Sequence, residues 1–320
     1  MTGRNSEGNW RYAGIRDGSS RAGIYVCHPD SSLRRRVFCL QKYRNYWRST
    51  ECLQSAHLWN CKLGKYRENT MLKVAIYGKG GIGKSTVTSN LAAAFASMGK
   101  RVIQIGCDPK ADSTINLLGG EPLRPVMNYL REEDTEPESL EEISRVGFGG
   151  VLCIETGGPT PGLGCAGRGI IATFNLLDDL RLFKTWKPDV VLYDVLGDVV
   201  CGGFAAPIRE GYAEKVLIVT SGEKMALYAA GNISTAVKNF EDRSYARVFG
   251  IVLNHRNVEN ETEKVTAFAR EKGYPIVGEI PRSNEINRYE DMGMTVIEGN
   301  PDLPVSRQFF ALAEKLLEEE

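Results

Sequence analysis

Four glycines, two lysines and two aliphatic hydroxyls stand within one short stretch, Tyr77-Gly78-Lys79-Gly80-Gly81-Ile82-Gly83-Lys84-Ser85-Thr86. Gly78, Gly83, Lys84 and Ser85 fall on the spacing G-x-x-x-x-G-K-[ST], which is the spacing of a phosphate cradle. Glycines let successive backbone N–H groups turn onto an anion, and a helix N-terminus adds its positive end. In that geometry Lys84 reaches the terminal phosphates and the Ser85 hydroxyl ligates Mg²⁺, with Gly80, Gly81, Ile82 and Thr86 completing the nucleotide contact. An ordinary glycine-rich turn would share the composition but does not require Lys84 and Ser85 at these places. Lys79, directly after the first glycine, is a second cation that a general nucleoside triphosphatase does not need.

Three further stretches carry chemistry. Gly106-Cys107-Asp108-Pro109-Lys110-Ala111-Asp112-Ser113-Thr114 sets two carboxylates around a lysine, an arrangement that holds a metal-bound water or orients an attacking one while the cation stabilises phosphoryl charge. Alone it also fits a surface turn. Tyr193-Asp194-Val195-Leu196-Gly197-Asp198-Val199-Val200-Cys201-Gly202-Gly203-Phe204 opens with an acid at the end of an apolar run, the place of the second metal-side carboxylate in a phosphate-loop protein. Gly157-Gly158-Pro159-Thr160-Pro161-Gly162-Leu163-Gly164-Cys165-Ala166-Gly167-Arg168-Gly169 is an extended loop around a thiol. Cys165 and Cys201 share glycine-rich surroundings, whereas Cys107 and Cys153 sit at or within strands, as inert core thiols do.

These residues need elements to position them. Leu72–Tyr77 reads as a buried strand and Lys84–Met98 as a helix with Leu91, Ala92, Phe95 and Ala96 on one face. Further strands are expected at 101–106, 151–155, 190–193, 215–220, 248–253 and 276–280. Glu132–Glu142 reads as a solvated helix face, and 306–320 as a helix presenting Phe309, Leu312, Ala313, Leu316 and Leu317 together. The alternation predicts one α/β phosphate-loop domain over 71–320, with a largely parallel sheet flanked by helices and ligands at the carboxyl ends of the strands.

The loop G-K-G-G-I-G-K-S resembles the deviant phosphate loop of the dimerising ATPases, which include the nitrogenase iron protein and the cell-division and plasmid-partition ATPases. In that group the extra lysine crosses to the partner's nucleotide, so the resemblance implies a homodimer with ATP between subunits. Two loop cysteines per chain cannot supply the four thiolates of a [4Fe–4S] cluster, but a two-fold dimer can. With G-C-D-P-K-A-D-S-T, G-C-A-G-R-G-I-I and Y-D-V-L-G-D-V-V-C-G-G-F-A added, residues 71 to about 310 resemble the nitrogenase iron protein (dinitrogenase reductase) family and its ATP-driven relatives in tetrapyrrole reduction. The resemblance implies catalytic roles for Lys79, Asp108, Lys110 and Asp198, with Asp108 at the water-activating position. It places Asp112 in the magnesium shell, Asn254 against the adenine and Arg168 on the docking surface. Cys165 and Cys201 become ligands of one shared cluster. It further implies a nitrogenase or nitrogenase-like catalytic partner as acceptor and a ferredoxin or flavodoxin type donor. The chain departs from the usual pattern in Ser221-Gly222-Glu223-Lys224-Met225, in Asn254-His255-Arg256 and in a short acidic C-terminus.

Composition narrows the remaining classes. The 320 residues carry 40 basic and 40 acidic side chains, so no overall charge selects nucleic acid as a partner. Residues 1–70 hold 13 Lys/Arg against 5 Asp/Glu, leaving that segment about +8 and the rest about −8. No apolar run approaches the roughly 18 residues of a membrane span, and the expectation is a cytoplasmic protein whose eight cysteines are thiols or metal ligands. Residues 1–70 lack helical or strand periodicity. Their four cysteines, Cys27, Cys39, Cys52 and Cys61, show no C-x-x-C pair for a zinc module, and their Cys and Trp content is unlike a transit peptide. The expectation is an irregular basic extension upstream of a natural start at Met71. The rival class is a non-redox partition or positioning ATPase.

Overall fold

The computed structural model describes residues 71–133, 135–158, 166–195, 197, 205–208, 211–241 and 246–318. Among them, eight strands form one sheet: β1 (Leu72–Gly78), β2 (Val102–Gly106), β3 (Arg145–Val146), β4 (Leu152–Glu155), β5 (Val190–Asp194), β6 (Lys215–Thr220), β7 (Arg247–Asn254) and β8 (Ile276–Ile280). Their order is β3-β4-β2-β5-β1-β6-β7-β8. Every pairing is parallel except the short β3–β4 ladder. β1 therefore lies between β5 and β6 rather than beside β2, and the reversal of strand order opens a crevice at its carboxyl end.

The strands read as continuous apolar runs because both faces are covered. On one face Val74, Ile76, Leu192 and Leu217 meet α1 (Lys84–Ser97) and, later in the chain, Val305, Phe309, Leu312 and Leu316. On the other, Ala75, Tyr77, Ile103, Ile105 and Tyr193 meet Ile170 and Phe174. The helices after α1 are α2 (Val126–Glu132), α3 (Ala166–Asp179), α4 (Leu182–Trp186), α5 (Lys224–Glu241), α6 (Glu261–Lys272), α7 (Asn284–Glu290), α8 (Val296–Gly299) and α9 (Pro304–Leu317).

Two sequence expectations change. α1 was expected to bury one face, but residues 87–95 are buried all round, because α9 packs against the side that the sheet leaves open. Its small side chains, Ala92, Ala93 and Ala94, permit that close double contact. The acidic stretch Glu132–Glu142 is not a helix. α2 stops at Glu132, and among the described residues of the stretch only Leu140–Glu142 turns again, as a 3₁₀ turn closed by a capping box between Ser139 and Glu142. Three of its acids find partners: Glu132 and Glu133 both pair with Arg124, and Glu142 accepts from the Tyr129 hydroxyl. α9 does present Phe309, Leu312, Ala313 and Leu316 to the core, with Leu317 at its margin.

Candidate functional site: a phosphate-loop cleft

The loop after β1 is tightly built. A Cβ on Gly78 would stand 2.4 Å from the Val219 carbonyl oxygen of β6, so only glycine lets the chain leave the sheet there. Gly83 caps α1 in the left-handed conformation, φ 95°, which a side chain rarely adopts. From outside, Asn254 Nδ2 donates to the Ile82 carbonyl at 2.7 Å and Arg256 Nη2 to the Gly81 carbonyl at 2.8 Å. Both residues come from the exit of β7, and Arg256 itself is oriented by Glu261, whose carboxylate accepts from the Arg256 amide at 3.0 Å. The resemblance implies an adenine contact for Asn254; in the structure its amide braces the phosphate loop.

Beneath the loop lies Asp194, the last residue of β5 and 1% exposed. Burial raises its pKa, while the Lys84 ammonium and the nearby Ser113 and Ser85 hydroxyls favour the charged form. Neither carboxylate oxygen has a hydrogen-bond partner in good geometry among the described residues. A buried carboxylate with two open oxygens, next to the Ser85 hydroxyl and a lysine, fits the outer shell of a Mg²⁺ ion. These residues would hold the ion through Ser85 and a water oriented by Asp194.

Across the crevice, Asp108 accepts from the Lys110 amide at 3.0 Å and forms a tight turn through Ala111, whose φ is 52°. The cleft between this turn and the phosphate loop has a volume of about 320 Å³. Gly80, Gly81, Gly83, Lys84, Ser85, Thr86, Asp108, Lys110, Asp112 and Asn254 all line it, so segments far apart in sequence converge as the motifs require. Gly78, Ile82 and Asp194 support it from below. Lys79 is half-buried, and its ammonium makes no hydrogen bond or ion pair among the described residues.

Sequence reasoning missed the opposite wall. Pro281, Arg282 and Ser283 at the exit of β8, then Ile286, Asn287 and Glu290 of α7, close the cleft beside Asn254. Glu290 accepts from the Thr86 hydroxyl at 2.6 Å, fixing α7 to the start of α1. The available signal was the Pro-Arg-Ser turn directly after an apolar strand, with Ser283 capping the next helix. His255, one of the departures from the family pattern, lies 3.2 Å from Glu261 and 3.6 Å from Glu279, on the rim of the same cleft.

Gly197 ties the segment after β5 to the phosphate loop: a Cβ there would lie 2.7 Å from the Gly78 carbonyl oxygen. Asp198, Cys165 and Cys201 lie outside the described residues. Arg168 is exposed in the first turn of α3. The two described cysteines are buried. Burial first, then the charges of Asp194 and Glu155, push the Cys107 thiol well up, and burial with Glu155 lifts Cys153 to about 12. Among the described residues no cluster of three or more His, Cys, Asp or Glu could hold a metal ion. The other six cysteines, Cys27, Cys39, Cys52, Cys61, Cys165 and Cys201, lie outside the described residues.

The profile of the 4Fe-4S iron sulfur cluster binding proteins, NifH/frxC family, matches residues 72–320. The chain belongs to the NifH/frxC family. Its fold is shared more widely. The Pyrococcus furiosus cell division ATPase MinD aligns with a TM-score of 0.60 at 22% identity, over 77% of this chain and 98% of that one. MinD of Pyrococcus horikoshii, solved with Mg-ADP, gives 0.60 at 21%, over 78% and 97%. A ParA family ATPase from Chlorobium tepidum gives 0.59 at 18%, over 76% and 98%. At these identities the likeness is one of fold. Within that fold, this NifH/frxC family member carries the cradle, the buried acid and the Asp108 turn at the carboxyl ends of β1, β5 and β2.

Proposed function

We propose that the protein is an ATP-dependent electron-transfer protein of the nitrogenase reductase type. Two copies sandwich MgATP and share one [4Fe–4S] cluster through Cys165 and Cys201 of each. They pass low-potential electrons from a ferredoxin or flavodoxin type donor to a nitrogenase or nitrogenase-like partner in the cytoplasm. When bound, the cluster supplies reversible one-electron transfer. The chain's own residues do the rest. Lys84, Ser85 and Asp194 bind MgATP, Asp108 and Asp198 handle the attacking water, Lys110 and the partner-directed Lys79 offset phosphoryl charge, Asp112 sits in the magnesium shell and Arg168 docks the acceptor.

The observation that carries this reading is the seat of Gly197 on the phosphate loop. It lies on the short segment between Asp194 and Cys201, so a change at the phosphates has a direct backbone route toward the thiol. ATP shifts such a conformation only by its differential affinity for the two states. Residues 1–70 take no part in the reading. Within the redox class a tetrapyrrole-reducing partner is the alternative acceptor. A non-redox positioning ATPase shares the fold and nucleotide cleft but has no use for Cys165 and Cys201. No helix among the described residues is long and apolar enough to cross a membrane.

The test is anaerobic. Protein reduced with dithionite and freed of excess reductant is mixed with MgATP and candidate acceptor complexes, and its visible absorbance is followed. MgATP-dependent bleaching or recovery tied to acceptor reduction supports electron delivery; ATP hydrolysis with no absorbing centre would leave the positioning ATPase.

A further inference from the structure

Glu155 ends β4 and has no exposed surface. Strand register sets it beside Gly106 of β2, and Gly106 beside Asp194 of β5. The three positions form one row on the α1 face of the sheet. Gly106 lacks a side chain, and Glu155 occupies the vacated space: a Cβ on Gly106 would fall 1.9 Å from Glu155 Oε2. Glu155 Oε1 accepts two hydrogen bonds of 2.7 Å, from the amide and the hydroxyl of Thr114. Ser113, next to it, is held from the other side, its carbonyl accepting from Ser89 Oγ at 2.7 Å and Gln104 Nε2 at 2.9 Å. Oε2 has no hydrogen-bond partner among the described residues. A carboxyl kept in this place at such desolvation cost calls for an explanation beyond packing, since an apolar side chain would be cheaper there.

The residues that follow Glu155 also touch the Asp108 loop. The Thr156 amide donates to the Gly106 carbonyl at 2.8 Å, and a Cβ on Gly158 would lie 2.6 Å from Pro109 Cβ. Arg131 of α2 holds the Gly158 carbonyl at 2.8 Å. The stretch 155–158 thus meets the loop 106–114 at Gly106, Pro109 and Thr114, and it leads onward to the glycine-rich segment of Cys165.

We propose that Glu155 is a positioning residue that clamps the 108–114 loop to β4, so that a nucleotide-driven shift of Asp108 and Asp112 is carried into the backbone of residues 156–158. Thr114 follows Asp112 closely enough that the loop cannot move at its acids without loading the clamp. Packed interfaces of this kind pass small displacements on because they rearrange discretely rather than stretch. The inference rests on the reading of the cleft as an ATP site, and it needs no cluster.

Hydrogen exchange measured by mass spectrometry, with and without MgATP, reads it directly. In the wild-type chain MgATP alters exchange both in peptides covering 108–114 and in peptides covering 155–158. Glu155→Gln keeps an acceptor for Thr114 and keeps both responses. Glu155→Ala and Glu155→Met keep the response at 108–114 and lose it at 155–158; Glu155→Met, which keeps the chain length but offers no oxygen to either Thr114 donor, carries the test if the alanine variant does not fold. In both, kcat for hydrolysis falls roughly tenfold with KM little changed, as expected of misplaced acids around an intact binding site. A 155–158 response that persists in Glu155→Ala or Glu155→Met overturns the clamp alone. Failure of the wild-type chain to bind MgATP in an equilibrium titration overturns the nucleotide reading and the clamp with it.

Discussion

Gly197 rests on Gly80: a side chain at Gly197 would stand 2.5 Å from the Gly80 amide nitrogen and 2.9 Å from the Lys79 carbonyl carbon. Real side chains do not tolerate that separation, so Gly197→Ala has to push the segment after β5 away from the phosphate loop or distort the loop itself. The expected outcome is a folded protein, by circular dichroism and thermal melting, whose ATP affinity falls by roughly tenfold or more. Gly211→Ala serves as the control, since nothing lies within 4 Å of a Cβ there, although its φ of 76° adds backbone strain.

The two loop lysines should separate binding from turnover. Lys84 is 8% exposed and acts on Asp194, so Lys84→Ala is expected to weaken ATP binding by roughly 100-fold. Lys79 has no bonded partner among the described residues. Lys79→Ala should retain binding in an equilibrium titration yet lose hydrolysis, because its proposed target is the partner subunit's phosphate. Normal hydrolysis by Lys79→Ala would remove the cross-dimer role.

Stability should fall with pH through Glu155. Burial lifts this carboxyl from 4.5 to about 8, against the pull of the two Thr114 donors. The folded state then holds a proton that the unfolded chain releases, so the contribution is fully present below about pH 4.5 and is lost as pH rises through about 8. Asp194 shifts in the same direction. Between about pH 5 and 8, urea unfolding of the wild-type chain should lose roughly 1–3 kcal/mol more than that of Glu155→Gln, whose amide does not titrate. Equal slopes for the two proteins would mean that Glu155 is ionised in the folded state.

Arg168 is exposed near the start of α3, with Ile171, 45% exposed, one turn along. Arg168→Glu should leave folding and ATP binding intact while stopping electron delivery, since reversing an exposed charge acts on association with an acidic surface rather than on the fold. Steady-state acceptor reduction, read beside ATPase activity, checks it. Loss of ATP binding would instead make Arg168 structural.

Much of this architecture was legible because the chemistry is local. Gly78 to Ser85 lie on one loop, and the apolar runs before Asp194 and Gly106 announce buried parallel strands. What tertiary contact decides was not legible. No periodicity in α1 could reveal that α9 would cover its second face, whereas the end of α2 was legible: Pro137 stands inside Glu132–Glu142 and cannot continue a helix. The wall formed by Pro281, Ser283 and Asn287 belongs to the cleft only because β8 lies two strands from β6 in the sheet. Nothing in the expected strand at 151–155 singled out Glu155; its place depends on the bare Cα of Gly106 in the neighbouring strand.

The most direct measurement is the iron content of the dimer. Protein purified or reconstituted without oxygen should sediment as a dimer and carry about four irons per two chains, the count of one cubane held by four thiolates. Cys165→Ala and Cys201→Ala should each abolish that iron, whereas Cys153→Ala, which truncates a buried thiol in β4, should keep it. A dimer that binds MgATP with no iron, or iron that survives both loop-cysteine substitutions, would contradict the electron-transfer reading.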